Sequence, residues 1–100
     1  MIHKIYSVYD AKSEAYLPPF YMQTRGQAVR AISDCANDKD HNFGRHPKDY
    51  TLFEMGEFDD THGSFDLQLS PEPIANCVEL VLPTDQPDMF SDENEKWDKK

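Results

Sequence analysis

Apolar and polar positions alternate along much of this chain, and the period of the alternation changes from segment to segment. Ile2 to Tyr9 (IHKIYSVY) is dense in β-branched and aromatic residues and predicts a first strand. DAKSEAYLPP follows with turn-forming residues and ends in Pro18-Pro19, which hold the backbone extended and stop any helix. Phe20 to Gln23 then predicts a short second strand. From Thr24 the period becomes helical. Thr24 and Gln27 have the spacing of a capping box, in which hydroxyl and amide each satisfy a backbone N–H left orphaned at a helix start. Ala28, Ile32, Cys35 and Ala36 repeat on one face, widened by Val29, against Gln27, Arg30, Ser33, Asp34 and Asn37 on the other. The spacing predicts a helix over 25–36, ending near Asn37 before the polar loop DKDHNFGRHPKD.

Tyr50 to Asp59 predicts a strand interrupted at Gly56, a position that reads as a bulge. Asp60-Thr61-His62-Gly63 is turn chemistry, with Gly63 free to take the positive φ of a hairpin return. Ser64 to Leu69 (SFDLQL) alternates, which points Phe65, Leu67 and Leu69 at a core and Asp66 and Gln68 at water. SPEP at 70–73 reads as a strand break. Ile74 to Leu82 (IANCVELVL) fits a short helix or a last strand, and the alternation of Val78, Leu80 and Leu82 favours the strand. From Pro83 the chain is polar and acidic, as a disordered tail would be. The expectation is an α+β domain over 1–82: a small, mostly antiparallel sheet with one amphipathic helix packed on one face, followed by an acidic C-terminal tail over 83–100.

Composition narrows the class. A chain of 100 residues, 38% hydrophobic and 12% aromatic, suits one domain with a small core. A domain this small buries only about 60% of its unfolded surface, so its stability is expected to be modest. No apolar run approaches the roughly 18 residues of a membrane span, and the N-terminus opens directly into patterned sequence, which argues against a signal peptide. Cys35 and Cys77 are too few for a disulfide scaffold or for a structural zinc site of about four ligands; they read as buried thiols in a reducing cytoplasm. The net charge of -9 excludes a strongly basic nucleic-acid coat. Residues 1–50 carry 7 bases and 6 acids, whereas residues 51–100 carry 3 bases and 13 acids. A near-neutral half with local positive patches thus precedes an acidic half, although a solvated acidic surface that keeps the chain soluble accounts for the same asymmetry.

Catalysis has no motif behind it. His3, His41, His46 and His62 have no metal-ligand spacing, and no cysteine or carboxylate cluster completes a site. Glu54, Glu57, Asp59 and Asp60 are close in sequence without a partner converging from another element. No nucleophile signature occurs. The expectation is a binding protein with no catalytic residue, metal or cofactor. Arg25 and Gly26 at the helix start, with Arg30 a turn on, offer an anion a place, although ordinary capping explains Thr24 and Gln27 without a ligand. Asn42 to Lys48 (NFGRHPK) mixes bases with an aromatic ring, as single-strand binders do to follow phosphates and stack on nucleobases. Lys4, Tyr6 and Tyr9 suggest a second platform. The alternative is that Phe43 anchors its loop in the core and the tyrosines pack beneath the helix. The candidate DNA contacts are Lys4, Lys12, Arg25, Arg30, Arg45 and Lys48 for phosphates, with Tyr6, Tyr9 and Phe43 for stacking.

KIYSVYDAKSEAYLPPF, the capped helix ending in ND, and NFGRHPKDYTLFEMGEFDDTHGSF together resemble the small nonstructural protein of gokushoviruses, microviruses with circular single-stranded DNA genomes. The resemblance covers about residues 2–69 and, more loosely, extends to 82; the string HPKDYTLFEMGEFDD is its most specific part. It implies a non-capsid phage protein that binds DNA when single-stranded genome synthesis begins, in the cytoplasm of the infected bacterial host. It brings no catalytic residues. Weak single-stranded DNA binding is the first expectation. The alternative is an adaptor that binds a host or phage replication protein through its acidic half. The tail, with Met89, Phe90 and Trp97 among its acids, would compete with DNA or recruit a partner. Unpaired strand edges would also permit a homodimer.

Overall fold

A computed structural model describes residues 1–83; the expectations for the tail beyond Pro83 lie outside the described residues. The chain is α+β, a curled antiparallel sheet with a few helices. Strand β1 (Ile2–Asp10) runs through the sheet and pairs with β4 (Tyr50–Asp59), which pairs in turn with β5 (Ser64–Asn76). The other edge of β1 is shared by β2 (Ala15–Tyr16) at one end and β3 (Phe20–Met22) at the other. The helix α1 (Arg25–Ala36) has the capping box: Thr24 Oγ1 accepts from the Gln27 N–H and Gln27 Oε1 accepts from the Thr24 N–H. It contributes Ala28, Ile32 and Ala36 to a buried cluster with Tyr6 and Val8 of β1 and Leu52 of β4.

The hairpin turns where its chemistry says it should. Gly63 has φ 65°, and its N–H donates to the Asp59 carbonyl at 2.8 Å. Gly56 has φ 151°, and a Cβ there would meet the Asp66 carbonyl and lie 2.7 Å from Leu67 Cα, so no larger residue fits without strain. Its neighbour Met55 is the extra residue of a bulge: Ile5 pairs with Gly56, while Tyr6 pairs with Glu54.

Four expectations need correction. Pro71 and Pro73 do not end a strand, because β5 is an edge strand whose outer side needs no ladder donor, and Pro73 pairs opposite Phe53. Ile74–Asn76 completes β5, but Cys77–Leu80 is a short helix, α3. A second capping box starts it: Asn76 Oδ1 accepts from the Val78 N–H, and Glu79 Oε1 accepts from the Asn76 N–H. The polar loop holds a helical turn, α2 (Asn42–Arg45), capped by His41 Nδ1, and a 3-10 turn at Pro47–Asp49. Finally, Phe65, Leu67 and Leu69 do not face a core; they are 57%, 62% and 108% exposed. Their alternation is real, but the face it creates points away from α1.

Residues directly opposite in a sheet share a face. Tyr6, Val8, Leu52 and Glu54 share the face that carries α1. Ile5, Tyr9, Tyr21, Phe53, Phe58, Phe65 and Leu67 share the other. Alternation therefore gives this small chain two apolar sheet faces, and the helices among the described residues pack on only one of them.

Candidate functional site

The nine candidate contacts fall into four groups. Tyr6 and Phe43 are in the core. Tyr6 is fully buried with its ring stacked on Phe20 at 5.9 Å, and Phe43 is 7% exposed with its ring 4.5 Å from Tyr50. Neither ring is presented to a nucleobase in this fold. The Tyr6 hydroxyl is buried with no hydrogen bond of standard geometry; burial, with the Glu54 carboxylate nearby, pushes its pKa up.

Lys4 and Arg25 are held by carboxylates. Lys4 Nζ lies 3.4 Å from Glu57 Oε2. Arg25 Nη2 donates to Glu54 Oε1 at 2.9 Å and to Glu72 Oε1 at 3.3 Å, and Gln68 Nε2 donates to the other Glu54 oxygen at 3.1 Å. Glu54, nearly buried, is thereby satisfied from α1 and β5 at once, and the guanidinium at the helix start, though half exposed, is bonded to the protein's own carboxylates. Its pKa is held up chiefly by the hydrogen bond to Glu54. Arg30 stands apart on the exposed side of α1.

The remaining bases gather. Lys12 sits in the β1–β2 turn, which is fixed by Asp10 Oδ1 accepting from the Lys12 N–H and by the Ala11 N–H donating to the Asp49 carbonyl at 2.8 Å. That bond ties the turn to the 3-10 segment carrying Lys48. A cleft of about 310 Å³ lies between them, lined by Asp10, Lys12, Ser13, His46, Asp49 and Tyr50. Arg45 adjoins this end and is oriented by its own loop, donating to the Asp40 carbonyl at 2.8 Å and to Asn42 Oδ1 at 2.6 Å. Among the described residues, Lys12, Arg45 and Lys48 form no ion pair with a carboxylate, and all three are exposed. At the same end of the sheet Tyr9 packs against Tyr16 at 4.9 Å, and Tyr16 against Phe53 at 5.4 Å. Tyr16 is 43% exposed.

A family model described as Phage ORF5 protein matches residues 3–80, from β1 through α3. The chain belongs to the Phage ORF5 family. Comparison with curated proteins and with solved structures finds no match. All nine candidate residues lie within the Phage ORF5 span.

Sequence reasoning missed Tyr16 and Phe53 in this Phage ORF5 chain. The first was read as part of a turn and the second as one residue of a strand. Their common signal is parity: both stand opposite residues of β1 on its non-helix face, Tyr16 opposite Tyr9 and Phe53 opposite Ser7. No group of three metal-ligating side chains is assembled among the described residues, and no helix there is long and apolar enough to cross a membrane. The histidines have other attachments. His3 lies between Asp60 and Gln23, His62 bonds Asp59, His41 caps α2 and His46 lines the cleft.

Proposed function

We propose that this phage protein is a non-catalytic accessory factor of genome synthesis, of the gokushovirus nonstructural type, that contacts single-stranded DNA in the cytoplasm of the infected bacterium. The observation that carries the reading is that Lys12, Arg45 and Lys48, without carboxylate partners among the described residues, lie at the same end of the sheet as the Tyr9–Tyr16–Phe53 cluster. Cations and an exposed ring at one end of the sheet meet the two needs of a single strand: phosphates to follow and a base to stack on. Asp10 and Asp49 line the same cleft and a net charge of -9 surrounds it, so the affinity is low.

The test is titration of a fluorescent single-stranded oligonucleotide at low salt. Binding should appear, show no sequence preference, and fade as salt rises. Changing Lys12 and Lys48 together to Ala should weaken it and flatten the salt slope by about 0.7 per lost phosphate contact. Tyr16→Ala should cost about 1–3 kcal/mol if one base stacks there. Absence of binding at low salt, or binding indifferent to the double change, overturns the reading.

The adaptor reading has its own observation. From Thr51 to Pro83 the chain has seven acids and no Lys or Arg, and Glu57 and Asp66 stand opposite each other on β4 and β5. A basic replication protein retained by the Lys12/Lys48 double variant, and lost on changing Glu57 and Asp66 to their amides, would favour it.

A further inference from the structure

The sheet face turned away from α1 has a composition unlike the rest of the surface. Its paired positions on β1, β3, β4 and β5 hold Ile5, Tyr21, Phe53, Phe58, Phe65 and Leu67, and none of the strand positions sharing that face is Lys, Arg, Asp or Glu. A protein with net charge -9 thus leaves one sheet face uncharged, and no described helix covers it. A groove of about 340 Å³ runs along it, lined by Ile5, Pro19, Tyr21, Met55, Phe65 and Leu67. Beside the groove Leu69, next on the same side of β5, is 108% exposed.

We infer that two copies of this chain pack face to face through this surface, Leu69 of each entering the apolar groove of the other. Three observations select a second copy. A two-fold contact uses the same patch twice, so the patch must hold both the projection and the recess that receives it, and this one does. The acids of the hairpin, Glu57 and Asp66, lie on the opposite face, so a face-to-face pair keeps its like charges on its two outsides. The area suits a pair that dissociates readily: β1, β4 and β5, about 4.8 Å apart over about 30 Å, with the short β3 beside them, give roughly 480 Å² per copy, in the range of weak, transient interfaces. Single-stranded DNA suits the hairpin end of the face poorly, since no cation stands among Tyr21, Phe58, Phe65 and Leu67. The alternation of Phe65, Leu67 and Leu69, which has no core to face among the described residues, acquires one in the pair. The DNA reading uses the other end of this same face and has Phe53 in common with it, so Leu69 and the Lys12/Lys48 pair are changed separately in the test.

Sedimentation equilibrium of the full chain over a range of concentrations tests it. The expected result is a species of twice the 11.6 kDa chain mass that dissociates on dilution. Leu69→Glu should weaken self-association roughly tenfold or more, since it removes a buried leucine and inserts a charge. Leu69→Met should largely retain it, and neither should change the circular dichroism, because Leu69 is fully exposed in the single chain. The Lys12/Lys48 double variant should leave the mass unchanged. A chain that stays at 11.6 kDa throughout, a dimer indifferent to Leu69→Glu, or a face whose change to Glu abolishes DNA binding instead of self-association would each overturn the proposal.

Discussion

Arg25 shows how one side chain's role depends on what stands across from it. At a helix start, followed by Gly26, it has the surroundings of an anion-binding residue. In the fold its guanidinium bonds Glu54 and Glu72 from two strands, and the adjacent Tyr6 ring is buried instead of offered to a base. Arg25→Ala therefore leaves a nearly buried carboxylate with Gln68 as its remaining partner. It should lower stability by on the order of 1–2 kcal/mol, read as a shift in the urea midpoint, while leaving the salt slope of DNA binding unchanged. A changed slope with unchanged stability would return Arg25 to the phosphate contacts. The helix-start signal was legible in the sequence; the carboxylate that consumes it comes from β4, separated by 29 residues, and was not.

The β4–β5 hairpin is the element whose local chemistry spoke most clearly and whose environment spoke least. Its turn is closed by Asp59, which accepts from the Thr61 N–H and bonds the His62 ring, and by Asp60, which bonds the Met1 amine and His3. These partners hold both carboxyls below the ordinary value of 3.8, led for Asp59 by His62 and for Asp60 by the Met1 amine. Below that ordinary value the unfolded chain binds protons the folded turn refuses. The contribution is thus complete above about pH 5 and is lost as pH falls through the folded pKa values. Amide exchange on acidification should show the Thr61 and Gly63 amides losing protection before those of α1; simultaneous loss would count against a locally titrating turn. Elsewhere, the local pattern is overridden in two elements, for different reasons. Propensity and alternation do not say that β5 is an edge strand, which tolerates Pro71 and Pro73, and the Asn76–Glu79 box outweighed the alternation of Val78, Leu80 and Leu82.

At the scale of the molecule the charge and the uncharged face act in opposite directions. The proposed DNA contact would exchange counterions and weaken with salt, whereas the proposed self-association would bring two chains of charge -9 together through apolar surface and strengthen as salt screens their repulsion. Raising salt should therefore shift the chain from the oligonucleotide towards the dimer, measured by anisotropy and by sedimentation on the same samples; two responses of the same sign would show that one of the surfaces is misassigned. The sequence by itself determined the features that depend on neighbours a few residues apart: the capped helix, the glycine-closed hairpin, the bulge beside Gly56 and the charge asymmetry between halves. Residues 2–69 also carry the resemblance to a phage family, and the match over 3–80 supports membership at that level. Only the tertiary structure decided which cations are consumed by carboxylates, which rings are buried and which face of the sheet receives α1. Those outcomes depend on partners brought from distant strands, and period-two alternation marks two faces without saying which one the rest of the chain will cover.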